Sequence, residues 1–200
     1  MRLNRCPARA AADRSAGFTL IELMVVLAIV GIMVAVAVPS ISVAIASTKM
    51  RGAASSLAGL MQNTRILAIK QNRTMTVHFI TRGNTPFAYA KNVDDVSANN
   101  TNTSRYEVQL GPSAFQVAVP GGSPPALTDA VLSYTPLNLP DEISFTPRGL
   151  PCKYAAGVCT TSGFIYYVQD TAQTNAWSAV SVSPGGRVKQ WFWDGSRWTD

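Results

Sequence analysis

Histidine and cysteine are scarce in this chain, and that scarcity excludes most chemistry. Among 200 residues there is one histidine, His78, and there are three cysteines, Cys6, Cys152 and Cys159. A structural zinc ion takes four Cys, His or carboxylate ligands and a catalytic one about three plus water. Cys152 and Cys159 with a histidine far off in sequence do not supply such a set, so no metal is predicted. His78 lies in TMTVHFIT, where Val77 and Phe79 point to the opposite face of a strand. That is the setting of a surface or structural histidine rather than a general base. Asp94-Asp95 reads as a solvated loop pair. No catalytic set emerges, and the chain reads as non-enzymatic with no cofactor.

What the sequence does have is one long apolar run. Residues 17–38, GFTLIELMVVLAIVGIMVAVAV, carry Glu22 as their only charge. About 20 such residues cross a bilayer as one helix, and a carboxylate within the span is costly, so it calls for a partner. The preceding segment, Met1 to Gly17, holds Arg2, Arg5, Arg9 and Arg14 against Asp13 alone. Positive charge beside a first span keeps that end in the cytoplasm, which places everything after Val38 outside. A secretory signal has its small cleavage residues after the apolar stretch. Here Ala16-Gly17 precede it, so a cut at that point leaves the hydrophobic helix on the mature chain. Cys6 has nothing apolar before it, which excludes a lipoprotein signal. Half of the formal net charge of +6 belongs to this leader, so the mature chain is left at about +3.

The segment G-F-T-L-I-E-L-x-V-V-x-A-I-x-G-I, Gly17 to Ile32, resembles the class III signal and methylation motif of type IV pilins and type II secretion pseudopilins. The resemblance implies that a prepilin peptidase cuts after Gly17 and that Phe18 is then N-methylated. It also implies a partner for Glu22: the N-terminal ammonium of a neighbouring subunit. Opposite charges in a low-dielectric medium attract far more strongly than in water. The expected partners are the peptidase, the inner membrane and other pilins or pseudopilins.

Pro39 ends the apolar block, but helical spacing continues to about Gln71, with Ala53, Leu57, Leu60, Met61, Leu67 and Ala68 recurring at steps of three and four. The expectation is one long helix over 18–71, membrane-spanning over about 18–38 and kinked at Pro39. A β-rich head over 72–200 follows, long enough for one domain with a core, and no internal repeat is visible. Strand patterns are predicted at Thr74–Thr81, Phe87–Asn92, Tyr106–Leu110, Phe115–Val119, Val131–Tyr134, Ile143–Thr146, Phe164–Gln169, Trp177–Val182 and Arg187–Trp193. SANNTNTS (97–104) and PGGSPP (120–125) read as loops. The fold class is α+β and pilin-like, a long N-terminal helix with an antiparallel head. Outside the cytoplasm disulfides persist, and the short, turn-rich PCKYAAGVC predicts a Cys152–Cys159 bond pinning a surface loop.

Three further segments resemble the GspH/FimT branch of H-type pseudopilins and minor pilins: NTRILAIKQNRTMTV (63–77), ISFTPRG (143–149) and AVSVSPGGRVK (179–189). Residues 87–139 match no pattern. In the last segment, alternation turns Val180, Val182 and Val188 to the core and places Arg187, Lys189, Trp191 and Trp193 on the outer face, with Arg197 and Trp198 in the tail. Cations interleaved with flat rings suit phosphates and exposed bases, and in some FimT-like pilins a G-R-x-K/R element, here Gly186 to Lys189, is implicated in gripping double-stranded DNA during natural transformation. The competing reading is that the tryptophans pack on the sheet or on a neighbouring subunit and the cations keep an edge strand soluble. The resemblance thus implies either a minor type IV pilin that binds DNA or an H-type pseudopilin of a type II secretion system.

Overall fold

The computed structural model describes residues 18–83, 85–93, 107–111, 115–117, 120, 124–127, 134–137, 142–170 and 175–200. Gly17, Asp94-Asp95, the 97–104 loop and residues 131–133 of a predicted strand lie outside the described residues. The chain divides into two compact units, 1–41 and 42–200.

In the first unit, helix α1 (Leu20–Gln71) begins. Thr19 caps it, its Oγ1 accepting the Glu22 backbone N–H at 3.3 Å. A threonine followed three residues later by glutamate is the sequence pattern of a capping box. The apolar side chains from Phe18 to Val38 are exposed, and the helix is long and apolar enough to cross a membrane. The Ser40 hydroxyl donates back to the Ala37 carbonyl at 2.9 Å, so this polar group is satisfied within the helix. Helical backbone continues through position 39.

In the second unit, the rest of α1 buries one stripe: Ala46, Met50, Ala53, Ala54, Leu57, Ala58, Leu60, Met61, Thr64 and Ala68. These positions recur at three- and four-residue steps, the period of one helical face. The predicted stripe is among them, with Leu67 partly buried at its margin. The helix stops at Asn72, which takes a left-handed conformation (φ 50). There Arg73 N–H reaches the Ala68 carbonyl and Asn72 N–H the Ile69 carbonyl, the two bonds of a Schellman cap.

The described head residues form two sheets. One has the order β3-β2-β1-β6-β7-β8 and is antiparallel throughout: β1 (Met75–Arg82), β2 (Thr85–Asn92), β3 (Glu107–Gln109), β6 (Ile143–Phe145), β7 (Pro151–Ala155) and β8 (Val158–Thr161). The other has the order β12-β11-β10-β9-β4: β4 (Phe115–Val117), β9 (Gly163–Asp170), β10 (Trp177–Val182), β11 (Val188–Trp193) and β12 (Trp198–Thr199). In this sheet β5 (Tyr134–Leu137) adds a parallel pairing to β9, the one departure from the expected antiparallel head among the described residues.

The inner faces of both sheets meet the helix stripe in one core, which includes Val77, Ala88, Ile143, Phe145, Tyr166, Val168, Val180 and Val182. A second, smaller cluster covers the other face of β9 and β10: Leu127, Ile165, Tyr167, Trp177 and Ala179, with Tyr134, Trp191, Trp193 and Trp198 packed against them. Strands β9 and β10 are therefore buried on both faces, unlike the half-exposed strand that alternation implies. Two predictions need correction. The segment 152–159 is a β-hairpin, not a loop, and the tail residues Trp198–Thr199 are a strand added to β11.

Candidate functional site

Two regions hold the residues singled out by sequence, and each lies within its own unit. At the N-terminus, Phe18 and Glu22 are exposed. Among the described residues Glu22 meets no cation, and its backbone N–H is held by Thr19 at the helix cap.

The C-terminal hairpin is more closed than its sequence implied. Trp191 donates its indole N–H to Ser181 Oγ at 2.8 Å, and Trp198 donates to the Pro125 carbonyl at 2.9 Å. The rings of Trp193 and Trp198 lie 5.6 Å apart, and Trp198 lies 5.8 Å from Tyr167. Tyr167 in turn accepts the Leu127 backbone N–H at 2.8 Å, and burial pushes its phenol pKa up. These rings seal the outer face of the sheet instead of presenting open platforms. They do share that face with Lys189, as alternation predicted.

The cations are also engaged. Lys189 Nζ lies 2.5 Å from the Asp200 carboxylate and 4.0 Å from the centre of the Trp191 ring. That ammonium holds the Asp200 carboxyl below its usual range, with Arg187 contributing. Arg197 lies 3.5 Å from Asp194. Asp194 accepts the backbone N–H groups of Arg197 and Ser196, each at 2.8 Å, and these bonds draw its pKa down to about 2. Arg187 is exposed.

Sequence reading missed the residue that organises this end of the head. Arg65, on α1, donates its Nε–H to the Gly149 carbonyl at 3.0 Å. Gly149 (φ 75) and Gly186 (φ 80) are both left-handed. A Cβ at Gly186 would stand 2.5 Å from the Gly149 carbonyl oxygen and 2.8 Å from Arg65 Nε. The three separated segments that carried the finer resemblance therefore meet at one point: the helix arginine, the PRG turn and the PGGR turn. Beside them runs a groove of about 430 Å³ lined by Gln62, Arg65, Ile66 and Gly185 to Val188. The available signal was an arginine near the helix end, together with two distant glycine-arginine turns.

Cys152 and Cys159 are bonded, with Cα atoms 5.4 Å apart. The bond joins β7 to β8 across a two-residue turn, Ala156-Gly157, in which both residues have positive φ, the geometry of a type I′ hairpin. Among the described residues no group of His, Cys, Asp and Glu is disposed to hold a metal ion.

Residues 13–38 match the family described as the prokaryotic N-terminal methylation motif. No curated protein matches the chain. Among solved structures the chain is similar to the type IV minor pilin FimU of Pseudomonas aeruginosa strain PAO1 in two crystal forms. Both give a TM-score of 0.44 at 12% identity; one covers 76% of this chain and 94% of that chain, the other 75% and 97%.

Proposed function

We propose that this prepilin-type chain, a member of the type IV pilin and pseudopilin superfamily, is a non-catalytic minor subunit of a type IV pilus. Prepilin peptidase removes residues 1–17 at the cytoplasmic face, and Phe18 becomes the N-methylated terminus. The span from Phe18 to about Val38 anchors the subunit in the inner membrane with its head in the periplasm. Assembly then exchanges lipid for neighbouring helices, an exchange governed by packing and polar pairing rather than by the hydrophobic effect. Glu22 steers it by meeting the terminal amine of a neighbour.

The methylation motif over residues 13–38 carries this reading. The exposed apolar helix and the absence, among the described residues, of a cation beside Glu22 support it. Glu22→Ala tests the steering role: leader cleavage stays intact while incorporation into filaments falls. Normal incorporation of that variant contradicts the steering. A deletion that blocks enzyme secretion and leaves pili intact assigns the subunit to a secretion pseudopilus instead.

A second reading, double-stranded DNA binding, rests on fewer groups than the sequence offered. Arg187 supports it, being exposed and lining one groove with Arg65. Lys189 and Arg197 bring carboxylates with them, and Trp191 and Trp193 are packed. Gel retardation at low salt tests it. If DNA binds, Arg187→Gln weakens binding across all sequences and flattens the salt dependence by about one phosphate contact. The absence of retardation removes this reading and leaves the filament role standing.

A further inference from the structure

The outer face of the first sheet holds a pocket that the filament reading does not use. Register builds it. Thr76 on β1 pairs with Ser144 on β6 and Lys91 on β2, and Ser144 pairs with Cys152 on β7. Residues two apart on a strand share a face, so His78, Glu142 and Tyr154 join the same side. The result is a recess of about 230 Å³, smaller than the usual range for drug-sized ligands and suited to a single ring.

Its lining has a definite chemistry. The floor is a hydroxyl pair, Thr76 Oγ1 and Ser144 Oγ, 2.7 Å apart and almost fully buried (4% and 1% exposed). Their mutual bond uses one O–H and one lone pair, leaving a second O–H and further lone pairs. One end is closed by His78, which bonds to Glu142 and stacks on Tyr89 with ring centres 5.5 Å apart. Lys91 stands on one side. On the other stands Tyr154, 40% exposed, on the hairpin that the Cys152–Cys159 bond closes. Among the described residues the lining carries one ammonium, Lys91, and one carboxylate, Glu142, the latter bonded to His78.

We propose that this recess binds a single sugar ring. The hydroxyl pair on the floor, with the imidazole and carboxylate at the end, supplies donors and acceptors that match the equatorial hydroxyls of a pyranose. The exposed Tyr154 ring offers an apolar face with a polar tip, which suits the C–H face of the same ring. The disulfide-closed hairpin keeps Tyr154 at the rim without ordering a flexible loop on binding, which limits the entropic cost.

The test is saturation-transfer NMR on the full chain in a detergent that lacks a sugar headgroup, with methyl β-glucoside and N-acetylglucosamine as probes. Transfer to the ring C–H protons is expected, with a Kd of about 1–10 mM for so small a ligand. Tyr154→Ala, at a half-exposed position that leaves the core intact, weakens binding at least about five-fold. Tyr154→Phe, which keeps the ring, retains it. No transfer from either probe at about 10 mM, or transfer unchanged in Tyr154→Ala, overturns the proposal.

Discussion

Adjacent glycines at the tip of the last long hairpin offer a discriminating test of how the head is held. Gly185 and Gly186 look interchangeable in SPGGRVK, but the structure treats them oppositely. A Cβ at Gly185 meets nothing nearer than Ser183 Oγ at 4.0 Å, whereas at Gly186 (φ +80) it meets a backbone oxygen, that of Gly149, at 2.5 Å. A left-handed non-glycine residue costs about 1–2 kcal/mol. Relieving the clash parts the two turns and loosens the Arg65–Gly149 bond, worth about 1.5–3 kcal/mol for a charged donor. Gly186→Ala should therefore lose about 3–5 kcal/mol. Gly185→Ala should be neutral or gain up to about 1 kcal/mol through a less flexible unfolded chain. Urea unfolding of the head fragment 42–200, followed by tryptophan fluorescence, reads the difference. With a slope of about 2 kcal/mol per molar urea, the Gly186→Ala midpoint falls by about 2 M while that of Gly185→Ala stays or rises slightly. Equal midpoints for the two variants would refute the clamp.

Removing the hairpin cross-link, Cys152→Ser with Cys159→Ser, should cost about 2 kcal/mol by loop-closure entropy, since only seven positions separate the cysteines; the same urea titration measures it. Asp194 should remain ionised far into acid. Its folded pKa of about 2 lies below the ordinary 3.8, so the tail turn it organises is in force above about pH 3.8 and is lost as pH falls through about 2. A carboxyl-carbon NMR titration should give a midpoint near 2, and Ser196→Ala should move it upward; a midpoint near 3.8 in the unaltered chain would contradict the hydrogen bonds that Asp194 accepts.

The helix was legible because both of its signals are dense: a continuous apolar run, then a stripe at Ala53, Leu57, Leu60, Met61 and Ala68. Strands with clear alternation or β-branched runs, such as Trp177–Val182, were legible to within a residue or two. The β7–β8 hairpin was not, because its two-residue turn has Ala156 in a left-handed conformation where asparagine, aspartate or glycine is the usual signal. Alternation also placed Trp191 and Trp193 on the correct side of β11 but could not say that this side was covered. The cover comes from Leu127 and Tyr134, in the 87–139 stretch that resembled nothing, and from Trp198 in a two-residue strand. Arg65 escaped notice for a related reason: its partners, Gly149 and Gly186, lie 84 and 121 positions away, and no local pattern joins them.

The account depends above all on where the mature polypeptide begins. Intact-mass and N-terminal fragment spectrometry of the protein isolated from its native membrane should find a chain starting at Phe18 and heavier by one methyl group at that residue. A chain still beginning at Met1, or one cut beyond Val38, would contradict it.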